Sequence, residues 1–292
     1  MSNVSLFYEL VRAGLWEKEI TLSTYEDLDL DEIYRLAEEQ SVLGLTAAGI
    51  EHVTDISLPK EKVLTFAGVA LQLEQANSAM NLFIEELIEK MREVGIYTLL
   101  VKGQGVAQCY ERPLWRACGD VDLLLSQDNY KKAKNFLIPL ASSIEEENLS
   151  SSHLGMTINP WIVELHGTLY SCCLSRMDKV IDEVQKSVFY GGEVRSWVNG
   201  RTLVFLPSPD NDVIFIFTHI IKHFFDGGIV LRQICDWCRL MWTYRESINQ
   251  QMLHNRIKKA GLLSEWRVFA VLAVHYLGMP KDAIPYYSSE TK

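Results

Sequence analysis

Two aspartates interrupt the apolar stretch Gly119-Asp120-Val121-Asp122-Leu123-Leu124-Leu125, which predicts a β-strand. Side chains alternate between the two faces of a strand, so Asp120 and Asp122 share one face while the other face is apolar and belongs to the core. Adjacent carboxylates repel each other, and a divalent cation with oxygen ligands, above all Mg²⁺, commonly stabilises such a pair. The alternative is an edge strand whose polar face lies in water, and the D-x-D pattern alone does not decide between them.

The composition is that of a globular protein with a substantial core. The chain has 292 residues, of which 48% are hydrophobic and 23% charged, so it can hold one large domain or two or three smaller ones. A formal net charge of −10 disfavours general binding to nucleic acids, because that affinity comes from neutralised phosphates. No apolar run is long enough for a membrane span, and the N-terminus lacks the pattern of a secretory signal. We therefore expect a cytoplasmic protein.

Two short motifs could suggest a metal site, but their context favours packing. Cys235 and Cys238 match C-x-x-C in an apolar helical stretch, and no second pair accompanies them among the six cysteines. We interpret them as core residues with free thiols, with a metal or redox role as the alternative. His219 and His223 lie four residues apart on a predicted helix that lacks the glutamate of a zinc protease. They are predicted either to face a cleft or to pack in the core.

Helical patterns occupy both ends of the chain and enclose a region of short strands. The N-terminal part includes one long helix over 59–94, which Gly95 is placed to cap. Strands are predicted over 96–101, 119–125, 155–158 and 161–169, with a hairpin over 194–206 that turns at Asn199-Gly200. The sequence therefore predicts an α+β protein with an N-terminal helical region (1–90), a core with a small mixed β-sheet (91–206) and a C-terminal helical domain (207–292).

A third carboxylate lies in the apolar run Ile162-Val163-Glu164-Leu165-His166. An unpaired buried glutamate is costly, so Glu164 should have a partner. If its strand lies beside the strand of Asp120 and Asp122, it brings a third carboxylate to the first two. His166 points to the same face and is either a hydrogen-bonded structural residue or a contact to a substrate.

A glycine turn, Lys102-Gly103-Gln104-Gly105, lies between a predicted strand and a predicted helix. Backbone N–H groups at such a junction can hold phosphate, although many junctions of this kind are ordinary turns. The turn lacks the G-x-x-x-x-G-K-[ST] pattern of a Walker P-loop.

The order of these motifs resembles the nucleotidyltransferase superfamily that includes DNA polymerase beta and the aminoglycoside and lincosamide nucleotidyltransferases. More narrowly, the chain is similar to bacterial proteins of an uncharacterised nucleotidyltransferase group, which pair a K-G turn with R-x-x-G-D-[IV]-D-L-L and a later [DE]-L-H. Here these motifs are Lys102-Gly103, 116–125 and 164–166. A C-terminal helix with spaced histidines and a later helix with an aspartate, Asp236, extend the resemblance over about 60–245.

The resemblance implies that Asp120 and Asp122 bind Mg²⁺ in a two-metal site. Glu164 would be the third carboxylate and could also assist deprotonation of the acceptor. Gly103 would lie at the phosphate-binding turn, where Gln104 replaces the serine of many superfamily members. The candidate nucleotide-binding residues are Lys102, Gly103, Gln104, Arg116 and Gly119. Of these, Lys102 and Arg116 would balance the charge of the phosphates.

The implied function is transfer of a nucleoside monophosphate from an NTP, by default ATP, to a hydroxyl of an acceptor. A small molecule is the expected acceptor because the protein is acidic. In such a transfer two cations stabilise the attacking and the leaving oxygens together. One alternative is AMP transfer onto a protein side chain, as in superfamily members of toxin–antitoxin systems. The other is a nucleotide-binding protein without catalysis, an alternative that stays open because Gln104 replaces the usual serine.

Overall fold

The computed structural model describes residues 3–25, 28–170 and 174–287. These ranges contain eleven α-helices and seven β-strands. The helices are α1 (Asn3–Trp16), α2 (Leu30–Glu39), α3 (Leu43–Glu51), α4 (Lys60–Glu93), α5 (Gly103–Ala107), α6 (Gln127–Leu137), α7 (Ser175–Gly191), α8 (Pro209–Asp226), α9 (Leu231–Thr243), α10 (Gln250–Ala260) and α11 (Leu263–Leu277). The strands are β1 (Leu99–Val101), β2 (Asp120–Leu124), β3 (Ser143–Ile144), β4 (His153–Ile158), β5 (Trp161–His166), β6 (Val194–Asn199) and β7 (Thr202–Pro207). No helix within them combines the length and apolarity that a membrane crossing requires.

Five strands form a mixed sheet in the order β1-β2-β5-β4-β3. Strands β2 and β5 are parallel, and the other neighbouring pairs are antiparallel. The hairpin β6–β7 forms a separate two-stranded sheet. The small mixed sheet is preceded and followed in the sequence by helices. This arrangement confirms the predicted α+β class.

One face of the five-stranded sheet is entirely apolar. Val121, Leu123, Val163 and Leu165 are buried in a cluster that also contains the second half of α4, α6 and the β6–β7 hairpin. Because side chains alternate along each strand, this packing turns the polar residues of β2 and β5 to the opposite face. The predicted long helix is present as α4, and Gly95 follows its end with a φ of +72°.

The N-terminal and C-terminal helices share a second core. Arg12 on α1 donates hydrogen bonds of 2.8 Å to the backbone carbonyls of His275 and Tyr276 at the end of α11. Cys235 and Cys238 on α9 are fully buried in this helical core, where the C-x-x-C motif was predicted to pack.

Several boundaries differ from the sequence-based prediction. Strand β1 begins at Leu99 because only three of its residues pair with β2, and β5 ends at His166. The short edge strand β3 lies outside the strands that were predicted from the sequence. Helix α7 was not predicted, although its buried residues recur at helical spacing: Met177, Val180, Ile181, Val184 and Val188.

Candidate active site

Strands β2 and β5 bring the three predicted carboxylates together. Asp122 lies directly opposite Glu164 in the parallel register, and Asp120 precedes it by two residues on the same face of β2. All three line one cavity of about 560 Å³. Helices α8 and α9 contribute much of the remaining lining.

Lys102 neutralises only one of these carboxylates directly. Its Nζ lies 2.8 Å from Oδ1 of Asp122, which is 2% exposed. Burial by itself raises the pKa of Asp122, but the ammonium of Lys102 and the hydrogen bond with His166 outweigh it and lower this pKa to about 2. Burial likewise lowers the pKa of Lys102, and the carboxylate of Asp122 reverses the effect and raises it. Both groups are therefore charged at neutral pH.

Asp120 shows that negative charge is in excess at this face. Burial raises its pKa above the usual value, and the charges of Asp122 and Glu164 raise it further. Three carboxylates thus face one ammonium group within a short stretch of sheet. Carboxylate oxygens are the ligands that hard divalent cations prefer, so these residues fit Mg²⁺ by their chemistry as well as by their charge.

Two histidines border the carboxylates. His166 Nε2 lies 2.8 Å from Oδ1 of Asp122 and 3.4 Å from Oε2 of Glu164. His153, directly opposite His166 in the β4–β5 pair, places its Nε2 3.2 Å from the same Oε2. The hydrogen bonds with His153 and His166 lower the pKa of Glu164 far below its usual range. Sequence reasoning missed His153 because the predicted strand began at residue 155, whereas β4 begins at His153; the two-residue turn between β4 and β5 is the signal that could have paired it with His166.

The glycine turn lies at the cavity, but Gln104 does not reach it. Lys102 and Gly103 line the cavity, with φ values of +57° and +36°. A non-glycine residue with positive φ is strained, and such strain is concentrated at functional sites. Gln104 is buried against α4, where its Nε2 donates a 2.6 Å hydrogen bond to Oδ1 of Asn77. This amide donor is therefore already in use within the fold, and nucleotide binding by Gln104 stays a prediction.

Arg116 lines the same cavity, where a buried carboxylate already pairs with it. Its Nε and Nη2 donate to the two carboxylate oxygens of Asp236 at 2.8 and 2.7 Å, and the hydroxyl of Tyr110 donates to the same carboxylate at 2.8 Å. The role of Arg116 in balancing phosphate charge stays a prediction. Gly119 is exposed at the start of β2 and is not part of the cavity lining.

Helices α8 and α9 supply the basic part of the cavity. His219 and His223 both line it, with ring centroids 4.3 Å apart. Burial and the charge of Lys102 lower the pKa of both imidazoles. Lys222 and Arg232 also line the cavity, and neither is paired with a carboxylate within the described parts of the chain. Of the two interpretations of the spaced histidines, the structure supports the cleft-facing one.

The site and fold can be compared with known proteins. Among solved structures, the chain is similar to an antigenic nucleotidyltransferase-like protein from Paracoccidioides brasiliensis, with 15% identity and a TM-score of 0.35. The similarity covers 66% of this chain and 90% of that one. A comparison with curated proteins gives no match. A family model described as an uncharacterised nucleotidyltransferase matches residues 26–278, and the chain belongs to this family.

Proposed function

We propose that this protein is a divalent-metal-dependent nucleotidyltransferase that moves a nucleoside monophosphate from an NTP, by default ATP, to a hydroxyl of a small-molecule acceptor. The observation that carries the proposal is the convergence of Asp120, Asp122 and Glu164 on one cavity in a chain of a nucleotidyltransferase family. Their negative charge exceeds the positive charge in direct contact with them, which suits a site that is completed by cations.

The three carboxylates would hold Mg²⁺, which supplies Lewis-acid stabilisation of the charge that develops on the phosphate oxygens. Lys102 and His166 keep Asp122 ionised, so its carboxylate is ready to bind a cation. The lowered pKa of Glu164 makes it a weak base. Glu164 therefore suits cation binding better than the proton abstraction that the sequence comparison suggested.

The basic part of the cavity suits the triphosphate. Lys222 and Arg232 line the cavity without a carboxylate partner in the described chain, so their charges remain for an anionic ligand. These two residues would share the phosphate-balancing role that was predicted for Lys102 and Arg116. The cavity volume of about 560 Å³ is typical of sites that enclose a ligand the size of a nucleotide.

The test is a transfer assay with each radiolabelled NTP and Mg²⁺, in the presence of either the small-molecule or the protein fraction of a cell extract. We expect one NTP to label a component of the small-molecule fraction. Asp120→Asn should lower the rate by a factor of about 100 or more, since it removes a group that holds charge-stabilising cations. Asp282→Asn, which changes an exposed aspartate outside the cavity, is the matched control and should leave the rate unchanged.

The other outcomes separate the alternatives. Label that appears on proteins would support AMP transfer to a side chain. NTP binding without transfer to either fraction would contradict catalysis and support a nucleotide-binding role. Transfer that persists in Asp120→Asn would show that the reaction takes place elsewhere.

A further inference from the structure

We propose that His153, Glu164 and His166 form a separate cation position that takes a first-row transition ion, such as Mn²⁺, Co²⁺ or Zn²⁺, in preference to Mg²⁺. The inference deepens the proposed function and rests on it for its meaning in catalysis. Ion binding itself can be tested without any nucleotide.

Two of the three distances between the candidate ligand atoms already suit a bound ion. One ring nitrogen of each histidine and one carboxylate oxygen of Glu164 all lie within 4.8 Å of one another. Oε2 of Glu164 is 3.2 Å from the Nε2 of His153 and 3.4 Å from that of His166. Neighbouring ligands of a tetrahedral ion with bonds of about 2.0–2.1 Å are separated by roughly 3.4 Å. The two distances from Glu164 therefore match this spacing, and the distance between the two histidine nitrogens is at most 4.8 Å.

The backbone fixes this arrangement. Glu164 and His166 are two residues apart on β5 and so point to one face, and His153 lies opposite His166 in the adjacent strand β4. The two imidazole centroids are 4.8 Å apart. Ligands on paired strands are positioned more accurately than ligands on loops.

The donor set decides which ions fit. Imidazole nitrogen suits first-row transition ions, whereas Mg²⁺ prefers oxygen ligands and retains water. Oδ1 of Asp122 lies 2.8 Å from the same Nε2 of His166, so an ion bound to this nitrogen would replace that hydrogen bond.

Glu164 connects this position to the neighbouring carboxylates. Its Oε2 faces both imidazoles, which leaves Oε1 for an ion held by Asp120 and Asp122. The cavity would then contain one oxygen-only position and one position with nitrogen ligands. A transition ion at the second position should remain bound when nucleotide is absent.

The probe is Co²⁺, because its visible absorption reports nitrogen ligation. We titrate it into nucleotide-free, chelator-treated protein. The expected result is one saturable equivalent with a visible band that a hundredfold excess of Mg²⁺ does not abolish. His153→Gln and His166→Gln should each weaken Co²⁺ binding at least about tenfold, since even outer-sphere partners of a metal are worth about 10–100-fold in affinity.

The double variant His219→Gln, His223→Gln is the matched control. It removes two imidazoles from the same cavity, but this pair has no carboxylate within hydrogen-bonding distance in the described residues. It should bind Co²⁺ like the wild type. Circular dichroism checks that each variant is folded. His153 is partly exposed, so His153→Gln is the variant that should perturb the fold least.

Unchanged Co²⁺ affinity in His153→Gln, or displacement of Co²⁺ by equimolar Mg²⁺, would overturn the inference. These outcomes are distinct from failure of the proposed function. Mg²⁺-dependent transfer without the Co²⁺ equivalent would reject the nitrogen-containing position alone. Tight Co²⁺ binding in a protein that transfers no nucleotide would reject the transferase and leave the ion site standing.

Discussion

Two buried ion pairs lie along the same cavity, and they differ in how completely their charges are balanced. Arg116 and Asp236 form a two-point pair, and the hydroxyl of Tyr110 satisfies the same carboxylate. Lys102 also pairs with a buried aspartate, Asp122, at 2.8 Å. However, two further carboxylates face the cavity beside that second pair.

This difference is the one expected between a structural ion pair and the proposed cation site. Removing a charge from water costs several kcal/mol unless a partner compensates it. The Arg116–Asp236 pair compensates itself and joins the loop before β2 to α9. The group around Asp122 does not, because its negative charges outnumber the adjacent ammonium. Such an excess is tolerated where a cation from solution completes the site.

The largest expected effect is on the balanced pair. Asp236→Ala leaves the guanidinium of Arg116 buried without a counter-ion. We expect a loss of about 3–5 kcal/mol in the free energy of unfolding, the usual consequence of removing one partner of a buried pair. Urea denaturation followed by circular dichroism measures it.

The control is the double variant Arg116→Met, Asp236→Leu, which removes both charges and should recover most of the lost stability. If Asp236→Ala costs less than about 1 kcal/mol, the range of an exposed pair, the pair is not the structural element inferred here.

The unbalanced group should respond to divalent cations. A cation at one hundred times its dissociation constant adds about 2.7 kcal/mol to the stability of the state that binds it. We therefore expect Mg²⁺ to raise the melting temperature of the wild type, and to have little effect on that of Asp122→Asn. Thermal unfolding at matched ionic strength measures the difference. An equal rise in both proteins would place cation binding outside these carboxylates.

Asp122 should stabilise the metal-free fold at neutral pH. Its pKa falls from the usual 3.8 to about 2 in the folded protein, and each pKa unit corresponds to about 1.4 kcal/mol. The free energy of unfolding of Asp122→Asn should therefore be lower than that of the wild type by on the order of 2 kcal/mol at pH 7. A carboxyl group whose pKa is lower in the folded protein stabilises the fold only at pH values above its pKa in the unfolded protein. The difference in stability between the wild type and Asp122→Asn should therefore shrink as the pH falls from about 4 towards about 2. Denaturation with chelator present tests this, and a difference independent of pH would contradict it.

Local periodicity was enough to predict the acidic face. The alternation of β2 placed Asp120 and Asp122 together, and the apolar run around Glu164 indicated a second strand that needed a partner for its carboxylate. The individual strands and the flanking helices followed from the same kind of pattern. Each of these features depends on residues within one strand or one helix.

The partners that lie far apart in the chain could not be predicted. His153 joins the site through the register of β4 on β5, but it lies before residue 155, where the predicted strand began. Gln104 was assigned to phosphate by its position in the turn, yet Asn77 on α4 holds its amide. Arg116 was assigned to phosphate by its charge, while its counter-ion Asp236 lies 120 residues later. A side chain's residue type and spacing show what it can do, and its tertiary partner decides whether it remains available.

Asp120 provides the smallest effect and the sharpest contrast with its neighbour on β2. Burial and the adjacent carboxylates raise its pKa, so ionisation of Asp120 destabilises the metal-free fold. Asp120→Asn should therefore be more stable than the wild type at pH 7, by a few tenths to about 1 kcal/mol, the range for like charges on adjacent strands.

The sign of this effect is opposite to that at Asp122. Below the usual pKa of 3.8, Asp120 is protonated in both the folded and the unfolded protein, so the variant and the wild type should be equally stable. The gain appears as the pH rises through that value, where Asp122→Asn shows a loss. Parallel denaturation series from pH 3 to pH 7, with chelator, compare the two variants directly. If both lose stability at pH 7, then the excess of negative charge is compensated within the protein itself, and the case for a cation at this face is lost.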